Sequence, residues 1–334
     1  REVGRSRIAN RLSVVECFKS RQFLEILLNK VGEAMHQPAP VPLCYVEHEM
    51  KTPKGTEELD QHGEFCGGPQ ALYVCKRCGY AEIYLLDVKE HREADEAIRR
   101  GEMDAALCIG TDGSVNPESL IRFSLLSALS TSNDPPEQAA KPFAKNRDGF
   151  IMAEGAAALV LESYDSAKAR GAKILGVVEG VGEMADSFHR TRSSPDGKPV
   201  IGCIRNAIAD AGLTPDDIDY VNPHGTSTPE NDKMEAKSLI AVFGERAKTI
   251  PTSSNKSMIG HTLSAAGAVE AVFSLLTLSH QRIPPTINYK IPDPDIPLDV
   301  VPNVARDARV THVISNSFGF GGQNVSLVMG GEPK

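Results

Sequence analysis

Residues 264–279 are apolar on nearly every face, so a helix formed there has no side to give to water and must lie buried among other elements. The chain from about residue 93 supplies such surroundings by alternating short apolar strands with amphipathic helices. Glu93–Arg100 reads as a helix stopped by Gly101, and Asp104–Ile109 as a buried strand. A strand is expected over 156–161, then a short charged helix at 164–170 closed by Gly171, then a Val/Gly strand over 174–181. Val200, Ile201, Ile204, Ala207, Ile208 and Ala211 recur at helical spacing, with Gly212 just past the end. Thr214-Pro215-Asp216-Asp217 predicts a capped single turn leading into a strand at 218–221. Ala236, Leu239, Ile240 and Phe243 give the next helix an inward stripe, and 312–315 and 325–329 finish as strands. Strands alternating with helices imply an α/β fold with largely covered sheets.

The 334 residues suffice for one large domain or two ordinary ones. With 36 Lys+Arg against 44 Asp+Glu the net charge is −8, which argues against a protein whose main task is gripping nucleic acid. No apolar run reads as long enough to span a bilayer, and the start, Arg1-Glu2-Val3-Gly4, lacks a signal-type apolar stretch. Seven cysteines do not suggest a secreted disulfide framework, so no membrane partner and a cytoplasmic location are the expectations.

Cys17, Cys44, Cys66, Cys75 and Cys78 all precede residue 80, which sets residues 1–92 apart from 93–334. The charged run 87–93 at the join contains no Gly or Pro and reads as a solvated helix face. Residues 10–35 look helical. Within Tyr73-Val-Cys75-Lys-Arg-Cys78-Gly79, the Cys-x2-Cys-Gly turn resembles half of a zinc ribbon, in which a tight turn aims two thiolates at one ion. Cys44 and His48 are the best available second pair, giving Cys44, His48, Cys75 and Cys78 as ligands of a structural zinc; reduced thiols in a plain hairpin are the alternative.

Three loops after 93 hold the chemistry. Asn222-Pro-His224-Gly-Thr226-Ser-Thr228-Pro229 follows a strand end, which poises a histidine over a cleft. Asn255-Lys256-Ser-Met-Ile-Gly-His261 places a lysine and a second histidine just before the buried helix, where the helix N-terminus is expected to keep the imidazole neutral. Asn316-Ser-Phe318-Gly-Phe320-Gly-Gly322 is a glycine-rich turn between strands, able to approach a ligand or to move.

In this order, and together with Ala128-Leu-Ser-Thr131 and Arg147-Asp-Gly-Phe150, these loops resemble the β-ketoacyl-acyl-carrier-protein synthases, the condensing enzymes of fatty-acid and polyketide synthesis in the thiolase superfamily, and most closely the KAS II-like type. The resemblance implies a layered αβαβα sandwich of two similar halves, here with the C-terminal half complete and the N-terminal half incomplete. It implies that His224 and His261 point donors at a thioester carbonyl, that Lys256 pairs with Glu270, and that Asp186 is tied to the first histidine loop. Phe320 matches a gating aromatic with Phe318 beside it, and Thr226 and Thr228 match contacts to a phosphopantetheine arm; Gln323 stands where the family usually has Thr. No organic cofactor is implied. The implied partners are acyl-carrier protein or CoA thioesters, with a homodimer or pairing to another ketosynthase-like chain.

The resemblance fails at one point. The family's nucleophile is a cysteine in a Thr-Ala-Cys elbow, and a gap-free count places it near Tyr84, where no such elbow exists; Cys78 fits only with an insertion. Four readings follow: a condensing enzyme by decarboxylative Claisen chemistry whose nucleophile lies elsewhere in the chain or whose N-terminal half is lost or substituted, a malonyl-thioester decarboxylase, a chain-length-factor-like partner without catalysis, and a zinc-ribbon interaction module with an inactive ketosynthase remnant. Intact His224, Lys256, His261 and Glu270 favour the first two.

Overall fold

The computed structural model describes residues 12–19, 71–74, 81–83 and 89–332. Short β-rich runs pair into a nine-stranded sheet. Its strands are β1 (Leu12–Lys19), β2 (Ala71–Val74), β3 (Ala81–Ile83), β4 (Ala105–Asp112), β5 (Gly155–Ser163), β6 (Gly176–Ala185), β7 (Tyr220–Asn222), β10 (His312–Gly319) and β11 (Gln323–Gly330). The spatial order is β3-β2-β4-β5-β1-β6-β11-β10-β7; β8 (Arg282–Ile283) and β9 (Arg306–Asp307) form a separate small ladder. Residues 12–19 were expected as part of a helix over 10–35 and are instead a strand, pairing antiparallel with β5 on one side and β6 on the other. Val14, Val15 and Phe18 suit a strand, and two open sheet edges offer backbone partners that a helix could not satisfy.

The helices are α1 (Lys89–Arg99), α2 (Pro117–Leu125), α3 (Tyr164–Ala169), α4 (Lys198–Asp210), α5 (Pro229–Phe243), α6 (Lys256–Ile259) and α7 (Ala266–His280). Alternation along the strands sends side chains to two cores. Val325, Leu327 and Met329 join Val313 against Ala271, Val272, Leu275 and Leu278 of α7. Val328 and Ile314 face the other way, toward Val200, Ile204 and Ala207 of α4 and Leu239 of α5. Helix α7 touches β4 and β5 as well as β10 and β11, so it lies against strands from both parts of the chain.

This explains its composition and corrects one expectation: Leu263–His280 is, by length and composition, apolar enough to cross a membrane, yet here most of it is enclosed by the fold. The predicted turn at 214–217 is present as a 3-10 turn, with Thr214 N–H donating to Asp217 Oδ2 at 2.8 Å. Helix α2 was not foreseen, and none of its residues is buried.

Helix α4 rests directly on the backbone of β6. A Cβ at Gly182 would stand 2.1 Å from the Cys203 carbonyl oxygen, and one at Gly180 2.3 Å from that of Ala207. Gly182→Ala should therefore destabilise the protein by about 1–3 kcal/mol through overpacking, seen as a lower urea midpoint at unchanged slope. Gly113→Ala, whose Cβ would meet nothing within 4 Å, should leave the midpoint in place.

Candidate active site

The first histidine loop leaves the end of β7 and enters α5, where the Thr228 hydroxyl caps the helix by accepting from Asn231 N–H. Two amides of the turn, His224 N–H and Gly225 N–H, each donate at 2.8 Å to the carboxylate of Glu235, one helical stretch further on. Gly225 sits at φ +40°, and a Cβ there would be 2.7 Å from that of Ser254, whose hydroxyl donates to the Gly225 carbonyl at 2.6 Å. Ser227 holds φ +71°, a strained value for a residue with a side chain. It is held there by Lys141 N–H donating to its hydroxyl (3.1 Å) and Gly149 N–H donating to its carbonyl (3.0 Å).

The second loop brings His261 alongside. Its backbone N–H donates to Ile151 O at 2.7 Å, and its carbonyl accepts from Ala153 N–H at 3.0 Å. Leu263 N–H donates to His261 Nδ1 at 3.2 Å, so Nδ1 is an acceptor and the ring proton sits on Nε2. The His224 and His261 rings meet edge to face with centroids 5.3 Å apart. His224 Nδ1 is sealed from solvent, which leaves Nε2 as the nitrogen that can meet a ligand.

Lys256 is buried behind both rings, donating to the His224 carbonyl at 2.7 Å and forming an ion pair with Glu270. Both imidazoles are held well below the usual histidine range, by burial first and by the Lys256 cation next. The neutral state expected from the start of α7 thus has a different source, since a 3-10 turn at Leu263–Ala265 separates His261 from that helix. Burial pushes the Glu270 carboxyl up to about 7 against the pull of Lys256, and its Oε2 has no hydrogen-bond partner among the described residues.

The third loop is the tip of the β10–β11 hairpin. Phe318 is buried with its ring 5.6 Å from His224, whereas Phe320 is 52% exposed. Phe123 of α2 and Phe150 continue the aromatic wall: Phe123 lies 6.4 Å from Phe320 and 5.4 Å from Phe150, which in turn meets His261 at 5.2 Å. Gly322 is at φ +82° and a Cβ there would strike the Asp186 carbonyl oxygen. Asp186 was expected to be tied to the first histidine loop. Instead its N–H donates to Gly322 O (2.7 Å) and its carboxylate accepts Phe188 N–H and Ser194 N–H, so it organises the 186–194 loop and the hairpin tip.

A cavity of about 1000 Å³ joins these parts, lined among others by His224, His261, Thr226, Thr228, Phe318, Phe320 and Asp186. Lys256 and Glu270 stand behind its wall. Neutral imidazole N–H donors lining one cleft can stabilise an oxyanion.

Residues 92–167 match the family described as Beta-ketoacyl synthase, N-terminal domain, and residues 175–290 match Beta-ketoacyl synthase, C-terminal domain. The 3-oxoacyl-[acyl-carrier-protein] synthase 2 of Staphylococcus aureus is 46% identical over 236 residues, 71% of this chain and 58% of the relative. The chain belongs to the β-ketoacyl synthase family. A solved type II polyketide synthase acyl-carrier protein in complex with its ketosynthase bound to the hexaketide is similar at 38% identity and TM-score 0.72, over 74% of this chain and 61% of that one. The solved ishigamide ketosynthase/chain length factor is similar at 41% identity and TM-score 0.66, over 71% and 56%. The fold is accordingly the thiolase-like α/β fold, and the chain spans about 58% of the length of the curated relative it matches.

Two sequence-derived expectations stand apart from the cavity. Cys44, His48, Cys75 and Cys78 lie outside the described residues, and among the described residues no group of three or more His, Cys, Asp or Glu side chains is placed to hold a metal, so zinc is unsupported. Tyr84, where the nucleophile would fall, also lies outside them. Of the two cysteines whose side chains are described, Cys108 and Cys203 are both buried, and burial pushes the Cys203 thiol up to about 12, the opposite of what a nucleophile needs. The sequence reading passed over Glu235. Its signal was a carboxylate flanked by Met234 and Ala236 on a helix with an inward stripe, where an acid needs buried donors.

Lys256→Met should let the His224 and His261 pKa values climb toward the ordinary range in an NMR titration of the ring protons. It should also destabilise the fold by about 3–5 kcal/mol, because Glu270 is left unpaired; removing Glu270 as well, by Leu, should recover much of that loss. Glu235, pushed up to about 7 by burial, favours the folded state fully below its unfolded pKa and loses that contribution as pH rises through about 7. Stability relative to Glu235→Gln should therefore fall between the unfolded carboxyl pKa and pH 7 in chemical denaturation.

Proposed function

We propose that this chain is a ketosynthase-type acyltransferase whose described residues carry the decarboxylating half of a Claisen condensation on malonyl-acyl-carrier protein. The observation that carries the reading is the placement of the His261 proton on Nε2, beside a second neutral imidazole, in a cleft large enough for a thioester arm. The malonyl thioester oxygen accepts from the two Nε2–H groups. As the bond to the carboxylate breaks, carbon dioxide leaves, the electron pair enters the thioester, and the enolate charge rests between two donors. Neutral donors suit this task, since an imidazolium would pair with the malonyl carboxylate and stabilise the ground state as well.

In condensation the enolate carbon then attacks the carbonyl of an acyl group held as a thioester, and the thiolate leaves. These 334 residues contain no Thr-Ala-Cys elbow to hold that acyl group. Protonation of the enolate carbon instead yields the acetyl thioester, which is the decarboxylase outcome. The missing elbow also favours a partner role of the chain-length-factor kind, and the likeness to the solved ishigamide ketosynthase/chain length factor supports it. Pairing with a second ketosynthase-like chain, or a homodimer, would cover Ile121 and Leu125 of α2, which are exposed at 61% and 81%.

Incubation with malonyl-acyl-carrier protein should release carbon dioxide and leave acetyl-carrier protein, read by intact mass. His261→Ala and His224→Ala should each slow this by about 10²–10³-fold. The rate should show no histidine inflection near pH 6.5, because both rings are already neutral there. An unchanged rate in both variants would sink the reading.

A further inference from the structure

Arg147 carries a buried guanidinium that stands outside the cavity and takes no part in the oxyanion chemistry. Its Nε donates to the Thr228 carbonyl at 3.3 Å, and its Nη2 to the Pro229 carbonyl at 3.2 Å. Nη1 donates to the Ala144 carbonyl at 2.9 Å and to Asp293 Oδ2 at 2.6 Å, and Asp232 Oδ2 lies 3.7 Å from Nε. One rigid fork thus ties the start of α5 to the 141–149 segment and to the loop carrying Asp293.

These contacts fall at one end of the first histidine loop. At its other end Glu235 holds the amides of His224 and Gly225. Between the two anchors lies Ser227 at φ +71°, a conformation that a residue with a side chain leaves unless its surroundings oppose it. The amides that oppose it, those of Lys141 and Gly149, belong to the segment that Arg147 fastens. A second route runs through Phe143 of that segment. It is held at φ +63° by donating its N–H to Asp232 Oδ2 at 2.7 Å, and its ring packs so closely over Gly225 that a Cβ there would stand 3.2 Å from it. Loss of the fork therefore frees the segment and the loop end together, and the strain at Ser227 relaxes toward His224.

We propose that Arg147 is a positioning residue for His224: its guanidinium closes the strained loop against the 141–149 segment and so sets where the free nitrogen of the His224 ring stands in the cavity. What His224 does there rests on the proposed thioester chemistry; its placement by Arg147 rests on the contacts above.

Arg147→Lys keeps the charge beside Asp232 and Asp293, so the chain still folds, but one ammonium cannot span all of these acceptors. On malonyl-acyl-carrier protein the variant should lose about tenfold to a hundredfold in kcat, the scale of a donor displaced by about 1 Å, with KM held within about twofold. In histidine-labelled protein the NMR signal of the His224 ring should move, while that of His280, at the end of α7, stays in place. Glycine adopts φ +71° without strain, so adding Ser227→Gly to Arg147→Lys should return the His224 signal toward its original position and recover part of kcat. Ser227→Gly measured alone completes the double-mutant cycle. A lower melting temperature with kcat and the His224 signal unchanged makes Arg147 a structural residue only and overturns the proposal. Strictly additive effects of the two substitutions overturn it as well, because the strained loop is then not the route. If the unmutated chain releases no carbon dioxide, the decarboxylating reading falls, and the His224 signal with its recovery still decides the role of Arg147.

Discussion

Lys256 is the point on which both histidine loops and the central helix converge. Its ammonium is buried against Glu270 of α7 and donates to the carbonyl of His224, so the most enclosed helix of the fold is tied to the first histidine loop through a residue of the second. A charge in that position is costly to desolvate and is kept only because each of its partners is fixed. The same cation, after burial itself, is what keeps both imidazoles unprotonated. Structure and electrostatics are therefore one device: the pair that locks the loops to the core also sets the protonation state of the rings.

Around it, the site is assembled by backbone groups more than by side chains. Glu235 collects two amides of the His224 turn, and Lys141 and Gly149 hold Ser227 in a conformation it would not choose alone. Asp186 gathers three main-chain groups at the hairpin tip and the neighbouring loop. Such contacts fix where His224, His261 and Phe318 stand to within a hydrogen-bond length, which is the precision that preorganised donors require. The aromatic series from Phe320 through Phe123 and Phe150 to His261 gives the cleft its apolar wall.

Much of this was legible in the residues. The runs at 200–211 and 236–243 and the strands at 312–315 and 325–329 carry their period plainly, and the structure places α4, α5, β10 and β11 over them. His224, Phe318 and Phe320 reach one cavity from the ends of strands, and His261 joins them from the short link between α6 and the 3-10 turn that precedes α7. Residues 12–19 misled, because Leu12, Val15 and Phe18 fit a helical stripe, and only the open edges of β5 and β6 decide for a strand. Asp186 misled for a related reason: an acid beside a glycine-rich turn can serve any nearby amides, and which amides are near is not a local property.

By itself the sequence determined most of the strands and helices after residue 93, α2 apart, the need for a fully surrounded helix at 264–279, and the loops that carry His224, Lys256 and His261. These follow from side-chain periodicity and from motifs whose residues are close in the chain. The tertiary structure alone decided which nitrogen of His261 carries its proton, why both rings stay neutral, and that Glu235 holds the His224 turn. Protonation, burial and pairing depend on groups brought together from distant parts of the chain, and no local pattern encodes the distances between them.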